Sequence, residues 1–437
     1  MTCFSVARHV ASSTRLSTIT YPTGLRTAVF PKVFRGVKRT YVDVTHTASY
    51  DILDQSTRVE EEKIRGYRAE HYYPVNIGDH FHDRYKVIGK LGYGSASTVW
   101  LCHDLHRGRG YVALKVYVNR SKVHRELPIY HHINSLPSEH QGRNHIRRLL
   151  DSFDIQGAHG NHTCLVHEAL GMNLEELREL IPGRVFAPNL VRQTFRDVLR
   201  GLHFLHEEAH VVHTDIQPKN ILLGTLDDSA FARFEQDEHR YPMPQKELHS
   251  RNIYVSRPMP LTKGAPSLCD LSEARFDHPQ NLDLVMPDVY RAPEVILGIP
   301  WSYPIDLWGF AMTLWDLFEP NRLFSPRDED GLYSEHYHLA QMVSIMGPPP
   351  PDFLQRSEKS QLFWDSNGNW IGRAPIPVTN LETAEQRLRG TEKSLFLAFL
   401  KKVLQWKPED RSNIQDIFTD EWLLADLIES GDVVRDQ

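Results

Sequence analysis

The stretch "YKVIGKLGYGSASTVWLCHDL", residues 85–105, narrows the fold more than any other. Gly92, Gly94 and Ser97 hold the three small positions of a G-x-G-x-x-G pattern, which also suits a dinucleotide-binding strand, turn and helix. The residues after the turn separate the two. "STVWLCHD" is β-branched and aromatic, so the glycines lie at the tip of a hairpin, where backbone N–H groups approach an anionic ligand without a Cβ in the way. An ordinary hairpin turn would account for the glycines alone. The next segment, "YVALKVYV", is an alternating strand that sets Lys115 among apolar neighbours, where a lysine is costly to bury unless paired. "SKVHRELPIYHHI" offers Glu126 on a helix as that partner, although Pro128 makes the helix irregular and a solvated helix face would explain Glu126 by itself.

The second half carries the acidic groups. In "NLVRQTFRDVLRGLHFLHEE", residues Leu190, Val191, Phe195, Val198, Leu199, Leu202 and Leu205 fall at helical spacing and predict a core helix. It runs directly into "VVHTDIQPKN", where Asp215 and Asn220 stand five positions apart, a spacing suited to phosphoryl transfer. Asp270 ends the apolar strand of "APSLCDLSEARF". "YPIDLWGFAMTLWDLF" is apolar on nearly every face, as a helix inside a domain is, so Asp306 within it must be hydrogen-bonded.

In this order and spacing the segments resemble those of a protein kinase, and more narrowly the serine/arginine-protein kinase family, over about residues 66–426. "YYPVNIGDHFHDRYKVIGKLGYGSASTVWL" and "HTDIQPKNILL" look like that family's entry strand, glycine loop and catalytic loop. The resemblance implies an α+β, bilobal protein-kinase fold. A small β-rich N-lobe spans 72–168 and a larger, mainly α-helical C-lobe spans 169–430, with a polar insert at about 225–266 that is expected to be flexible. It further implies ATP and Mg²⁺ as cofactors. Leu91, Gly92, Gly94, Val99 and Ala113 would cover the nucleotide, and the backbone of Glu168 and Leu170, in "CLVHEALGMNLEEL", would meet the adenine edge with His167 at the gatekeeper position. Lys115, held by Glu126, would grip the α- and β-phosphates, Asn220 and Asp270 would hold the metal, and Asp215 would orient the substrate hydroxyl. Asp306 would hold the catalytic loop, and Arg411 of "WKPEDRS" would pair with Glu294 of "YRAPEVILG".

The chain departs from the family's pattern at four places. Gln217 stands where serine/threonine kinases have a catalytic lysine, and Lys219, two positions later, is expected to supply that charge as the tyrosine-kinase cation does. Asp270-Leu271-Ser272 replaces D-F-G; mild at Leu271, the change at Ser272 would cost about 1 kcal/mol if that residue needs a positive φ. Thr214 replaces the arginine that reads a phosphorylated activation segment. Between Asp270 and Glu294 the only hydroxyl residues are Ser272 and Tyr290, one near each end, so a kinase active without phosphorylation of this segment is expected. The substrate implied is serine in arginine/serine-rich proteins, with Asp328, Glu329, Asp330 and Glu335 as carboxylates for the arginines. A pseudokinase scaffold that binds nucleotide or a partner without chemistry is the alternative.

Composition limits the rest. With 437 residues, 41% of them hydrophobic and 24% charged, the chain can bury a large core. No apolar run approaches the roughly 18 residues of a membrane span, and Cys3, Cys102, Cys164 and Cys269 lack CxxC spacing, which suits a reducing compartment. Residues 1–42 are rich in Arg, Lys, Ser and Thr and hold no acid before Asp43; they resemble a mitochondrial transit peptide, with a disordered basic tail as the alternative. Residues 43–71 read as a polar extension that wraps the surface or stays mobile, the folded body starting near Tyr72. A monomer in the cytoplasm or nucleus is expected, or in the mitochondrion if the leader is a signal, acting on a protein and binding neither nucleic acid nor membrane.

Overall fold

Alternating β-branched and aromatic residues between positions 80 and 168 build an antiparallel sheet of six strands. They are β1 (His80–Phe81), β2 (Tyr85–Tyr93), β3 (Ser97–Asp104), β4 (Gly110–Tyr117), β5 (Leu149–Gly157) and β6 (Gly160–Glu168), in the spatial order β1-β2-β3-β4-β6-β5. The computed structural model describes residues 50–106, 108, 110–120 and 125–433, so the basic leader lies outside the described residues. One face of the sheet buries Tyr85, Trp100, Leu114 and Val166 in a cluster of its own. Helix α1 (Glu126–Ser135) packs beside the sheet. It opens at Glu126, so Pro128 falls in its first turn, where the missing N–H has no intrahelical partner to lose.

From Glu168 the chain crosses to a helical lobe. Helix α2 (Leu174–Leu180) starts with a capping box, in which the Asn173 side chain accepts from the Glu176 N–H while Glu176 bonds back to the Asn173 N–H. Helix α3 (Pro188–Glu207) buries the stripe of Val191, Phe195, Val198, Leu199, Leu202 and Leu205. After it come the short strands β7 (Val211–Val212) and β8 (Ile221–Leu223), the insert with α4 (Ser229–Arg240), β9 (Gln245–Glu247) and β10 (Asn252–Tyr254), then β11 (Pro266–Leu268) and β12 (Arg275–Phe276). Helices α5 (Pro293–Leu297) and α6 (Pro304–Phe318) come next. Every residue of α6 from Ile305 onward is buried, and Phe310 meets Phe195 of α3 edge to face at 5.0 Å. A small β lobe and a larger helical lobe are therefore present as the sequence implies. Among the described residues, no helix is long and apolar enough to cross a membrane.

Two expectations need correction. The insert is not a flexible spacer. Phe231 and Phe234 of α4 are fully buried, and α4 leaves its own lobe to lie against β2, where a Cβ on Gly89 would come within 2.8 Å of the Phe234 ring. Glu235 accepts a hydrogen bond from Tyr111 Oη at 2.7 Å and meets His103 Nε2 at 2.9 Å, which joins α4 to β3 and β4 as well. Nor does the ordered body begin near Tyr72. Ile52 pairs with Gln245 in a parallel bridge, and a 3₁₀ turn at Glu60–Lys63 inserts two carboxylates under the insert. Glu61 bonds Lys90 Nζ and Arg251 Nη2, each at 2.5 Å, and Glu62 meets Lys246 Nζ at 2.9 Å. The "EEEK" sequence looks solvated because its counter-charges are contributed by β2 and by residues nearly two hundred positions away.

Removing one member of such a buried network leaves uncompensated charge behind, at a cost of about 3–5 kcal/mol. Glu61→Ala should therefore lower the unfolding free energy by about 3 kcal/mol in a chemical denaturation series; a loss below about 1 kcal/mol would show that the network is not structural.

Candidate active site

Two backbone pairings bring the acidic groups together. Residues 213–220 form the loop between β7 and β8; β11 pairs antiparallel with β8, and the Cys269 N–H donates to the Asn220 carbonyl at 2.8 Å, which sets Asp270 beside Asn220. The loop itself is fixed from beneath. The Asp306 carboxylate, on the first turn of α6, accepts the N–H of His213 and the N–H of Thr214, both at 2.7 Å, and His206 Nε2 lies 2.9 Å away. Thr214 has a φ of 66°, a strained left-handed conformation that those bonds and its own hydroxyl, donating to Glu273 O at 2.7 Å, maintain. His213 Nδ1 accepts the Asp215 N–H at 3.2 Å, so Nε2 is the protonated nitrogen that faces the Cys269 carbonyl at 3.2 Å.

Asp215 is held by its neighbours through both oxygens. Asn220 Nδ2 donates to Oδ2 at 2.6 Å, and Gln217 Nε2 donates to Oδ1. Burial pushes the Asp215 carboxyl above its ordinary value, while His213, Lys219 and Asn220 draw it part of the way back. Gln217 thus occupies the position of the missing lysine as an orienting donor to the acid. Lys219 is exposed at the cleft, near enough to Asp215 to act on its acidity.

Lys115 projects from the middle of β4 and bridges the lobes. Its Nζ lies 2.6 Å from Glu126 Oε2, at the start of α1, and 3.1 Å from Asp270 Oδ1; Tyr117 Oη donates to the same Glu126 oxygen. Burial disfavours the ammonium, but Asp270 and Glu126 outweigh it and hold the Lys115 pKa well above its ordinary value. Burial likewise opposes the Asp270 carboxylate, and Lys115 overcomes that and holds it well below the usual range. The condition under which Ser272 would be costly, a positive φ, is not met. Asp270 itself has the positive φ, 63°, while Ser272 lies in the 3₁₀ turn Leu271–Glu273 and donates its N–H to Asp270 Oδ1 at 3.4 Å. Glycine is therefore not required there.

The cleft is lined by Gly94, Val99, Lys115, Lys219, Asn220 and Asp270, among others. At Gly92 and Gly94 an added Cβ would meet open space, so the β2–β3 turn has room for an incoming anion and not for protein packing. Asp270 offers a carboxylate and Asn220, whose amide nitrogen is committed to Asp215, an amide oxygen. Such a pair of hard oxygen ligands fits Mg²⁺, which is held by one or two protein groups plus phosphates and water. Among the described residues, no cluster of three or more His, Cys, Asp or Glu forms a closed metal cage.

Not every residue assigned from the sequence lines the open cleft. Leu91, Gly92, Ala113, Glu168, Leu170 and Asp215 do not; Ala113 and Leu170 are buried, the Glu168 carboxylate pairs with Arg148 at 3.0 Å, and the Asp215 carboxylate is bound at 2.6 Å by Asn220, which does line it. Arg147, Leu222 and Cys269 line it without having been singled out. Leu222 lies two positions after the assigned Asn220 and Cys269 directly precedes the assigned Asp270, and that proximity was the available signal.

The protein kinase domain profile matches residues 85–423. The chain belongs to the protein kinase family. The kinase is 38% identical to a serine/threonine protein kinase of Aspergillus fumigatus, over 87% of this chain and 94% of that one. It is 29% identical to the serine/threonine-protein kinase SRPK of Physarum polycephalum, over 84% of this chain and 91% of the relative. A solved kinase domain superposes with a TM-score of 0.62 at 23% identity, covering 81% of this chain and 99% of its own, which shows the shared fold. The chain is thus a serine/threonine kinase by family, and its cleft holds an acid, an amide and a lysine–carboxylate pair in place for that chemistry.

The ionised form of Asp215 is the one that accepts a proton, so activity should fall as pH drops through its pKa. The acid limb of kcat/KM is expected above the ordinary carboxylate value of about 3.9. Gln217→Ala removes a donor that favours the anion and should move that limb to still higher pH; a limb unchanged by the substitution would mean that Gln217 does not act on the acid. Asp306→Asn cannot accept both loop amides, and a loss of about 10- to 100-fold in kcat is expected by steady-state kinetics.

Proposed function

We propose that this kinase transfers the γ-phosphoryl group of a Mg²⁺-bound nucleoside triphosphate to serine in arginine-rich protein segments, and does so without phosphorylation of its activation segment. The observation that carries the transfer is Lys115 held between Glu126 and Asp270, with Asp215 and Asn220 alongside. The phosphorus–oxygen bond to the β-phosphate breaks as one forms to the serine oxygen, and the hydroxyl proton passes toward Asp215. Mg²⁺, when bound, neutralises the charge that develops on the phosphate oxygens. Lys115 binds the phosphates, Glu126 keeps its side chain in place, and Asp215 orients the hydroxyl. Lys219, exposed at the cleft, brings a further positive charge toward the transferred group.

The reading of constitutive activity is supported by how the segment is tied down. Thr214 Oγ1 bonds Glu273 O, β12 pairs with β7, and the Asp277 N–H donates to His210 O at 2.9 Å. Further on, Ser302 Oγ donates to Asp277 at 2.6 Å, Trp301 Nε1 to Asp283 O at 2.9 Å, and Arg291 to the carbonyls of Val285 and Met286. These bonds link the segment to the catalytic loop and to the chain around α5 and α6 without a phosphate. Tyr290 is buried against Asp316 at 2.7 Å, which removes one of its two hydroxyls from reach.

Two of the four carboxylates assigned to substrate arginines are otherwise engaged. Asp328 Oδ1 accepts the N–H groups of Asp330 and Leu332 in its own turn, and Glu335 pairs with Lys359 at 2.8 Å. Glu329 and Asp330 remain exposed, and the arginine preference rests on them.

An ATP/Mg²⁺ assay on an arginine/serine-repeat peptide tests the proposal, with Asp215→Asn and Asp270→Asn as inactive controls. Replacing Glu329 and Asp330 by lysine should raise KM for that peptide about tenfold with kcat little changed. A positional peptide array showing no basic preference would remove the arginine assignment and leave the transferase. Mass spectrometry that finds an obligatory phosphate between Asp270 and Glu294 in active enzyme would remove the constitutive one.

A further inference from the structure

Tyr72 enters from the segment ahead of β1 and reaches the turn between β2 and β3. Its hydroxyl lies 3.1 Å from the Gly94 carbonyl oxygen and 3.3 Å from that of Ser95, so one proton is shared between two consecutive carbonyls of the glycine loop. The next carbonyl is engaged as well, since Ala96 O accepts the N–H of Val118, the residue after β4, at 2.9 Å. Within a trans peptide unit the C=O and the N–H point in opposite directions. The Gly94 carbonyl and the Ser95 N–H belong to one such unit, and the Ser95 carbonyl and the Ala96 N–H to the next. Drawing both oxygens toward Tyr72 therefore turns both N–H groups away from it. Among the described residues those two N–H groups have no hydrogen-bond partner, whereas the Gly94 N–H is committed to Ser97 O at 2.8 Å. Gly94, Ser97 and Val99 around them line the cleft that contains Lys115 and Asp270. Successive amides that point the same way form an anion-binding concavity.

Tyr72 is itself held by groups outside the sheet. The Tyr67 ring lies 5.3 Å from its own and the Arg251 guanidinium 5.5 Å, and Arg251 is fixed by Glu61 at 2.5 Å. The backbone beside it is tied to the end of β4, where the Asn119 N–H donates to His71 O at 3.0 Å and the Asn119 side-chain amide to Glu70 O at 2.9 Å. Burial, helped by the charge of Glu61, pushes the phenol up to about 12, so the hydroxyl stays a donor across the neutral range. We propose that Tyr72 is a positioning residue for the phosphoryl donor, its hydroxyl holding back the Gly94 and Ser95 carbonyls so that the Ser95 and Ala96 amides face the triphosphate. The inference rests on the phosphoryl-transfer reading of the cleft and adds the group that sets its phosphate-facing turn. The turn is then governed from the amino-terminal extension and the insert, through Glu61 and Arg251, and not by its glycines alone.

The test is Tyr72→Phe, which removes the hydroxyl and keeps the ring; a thermal melt verifies the fold. Calorimetric titration of the full chain compares adenosine, AMP, ADP and a non-hydrolysable ATP analogue, each with Mg²⁺. The substitution is expected to weaken the triphosphate about three- to tenfold, the effect of one hydrogen bond, and to leave adenosine unchanged. In steady-state kinetics KM for ATP should rise by the same factor while KM for a serine peptide is unchanged. Equal weakening of adenosine and triphosphate, as a packing role alone would give, or no weakening of either, overturns the inference and leaves the kinase assignment intact. Arg251→Lys keeps a charge for Glu61 but loses the plane beside the Tyr72 ring. Should the phenylalanine variant not fold, the lysine variant must show the loss for the triphosphate alone, or the inference falls. A wild-type chain that binds none of these ligands and transfers no phosphate overturns the phosphoryl-transfer reading as well.

Discussion

The buried carboxylate of Asp306 is the constraint on which the catalytic half of the molecule depends. Its side chain is fully inaccessible, and a carboxylate in that position is tolerable only when its lone pairs are filled. The donors that fill them are two consecutive loop amides and an imidazole, so α6 cannot be seated without bending the 213–214 backbone to it. The left-handed conformation at Thr214 results from that demand. Through it the positions of Asp215 and Asn220 are dictated by the helical core and not by the loop's own preferences. The helix is in turn located by Arg411, which clamps Glu294 with two bonds of 2.6 and 2.7 Å and reaches the carbonyl of Pro304, the first residue of α6.

Above this platform the cleft is arranged by sharing charges between lobes. Lys115 belongs to the sheet, Glu126 to the helix beside it and Asp270 to the helical lobe, and one ammonium bonds to both acids. The arrangement resolves the difficulty posed by a lysine in an apolar strand. Its two anionic neighbours keep it charged despite burial, and its charge keeps Asp270 ionised despite burial. Each group is thereby held in the protonation state in which it can bind, the lysine for phosphate and the aspartate for a cation.

The parts of the site written in short contiguous motifs were legible in the sequence, because local spacing there maps directly onto geometry: a strand for Lys115, a loop for Asp215 and Asn220, a strand end for Asp270. The illegible parts depend on partners distant in the chain. Phe231 and Phe234 sit in a segment otherwise polar, and the surfaces that bury them, the Tyr111 ring for Phe231 and the bare backbone at Gly89 for Phe234, lie more than 100 positions earlier. "RVEEEKIR" has the composition of a solvated stretch, and its pairing with Lys90, Lys246 and Arg251 has no local trace. The positive φ of this triplet belongs to Asp270 and not to Ser272, since a triplet does not reveal which member takes it.

The anchoring of Glu61 and Glu62 bears on how much of the amino-terminal region can be dispensed with. Proteolytic maturation that stopped before Tyr50 would leave every one of those contacts in place. A cut beyond Glu62 would instead strip the anions from Lys90, Lys246 and Arg251 and leave three buried cations uncompensated, so the stretch that the folded enzyme needs reaches well upstream of its glycine loop.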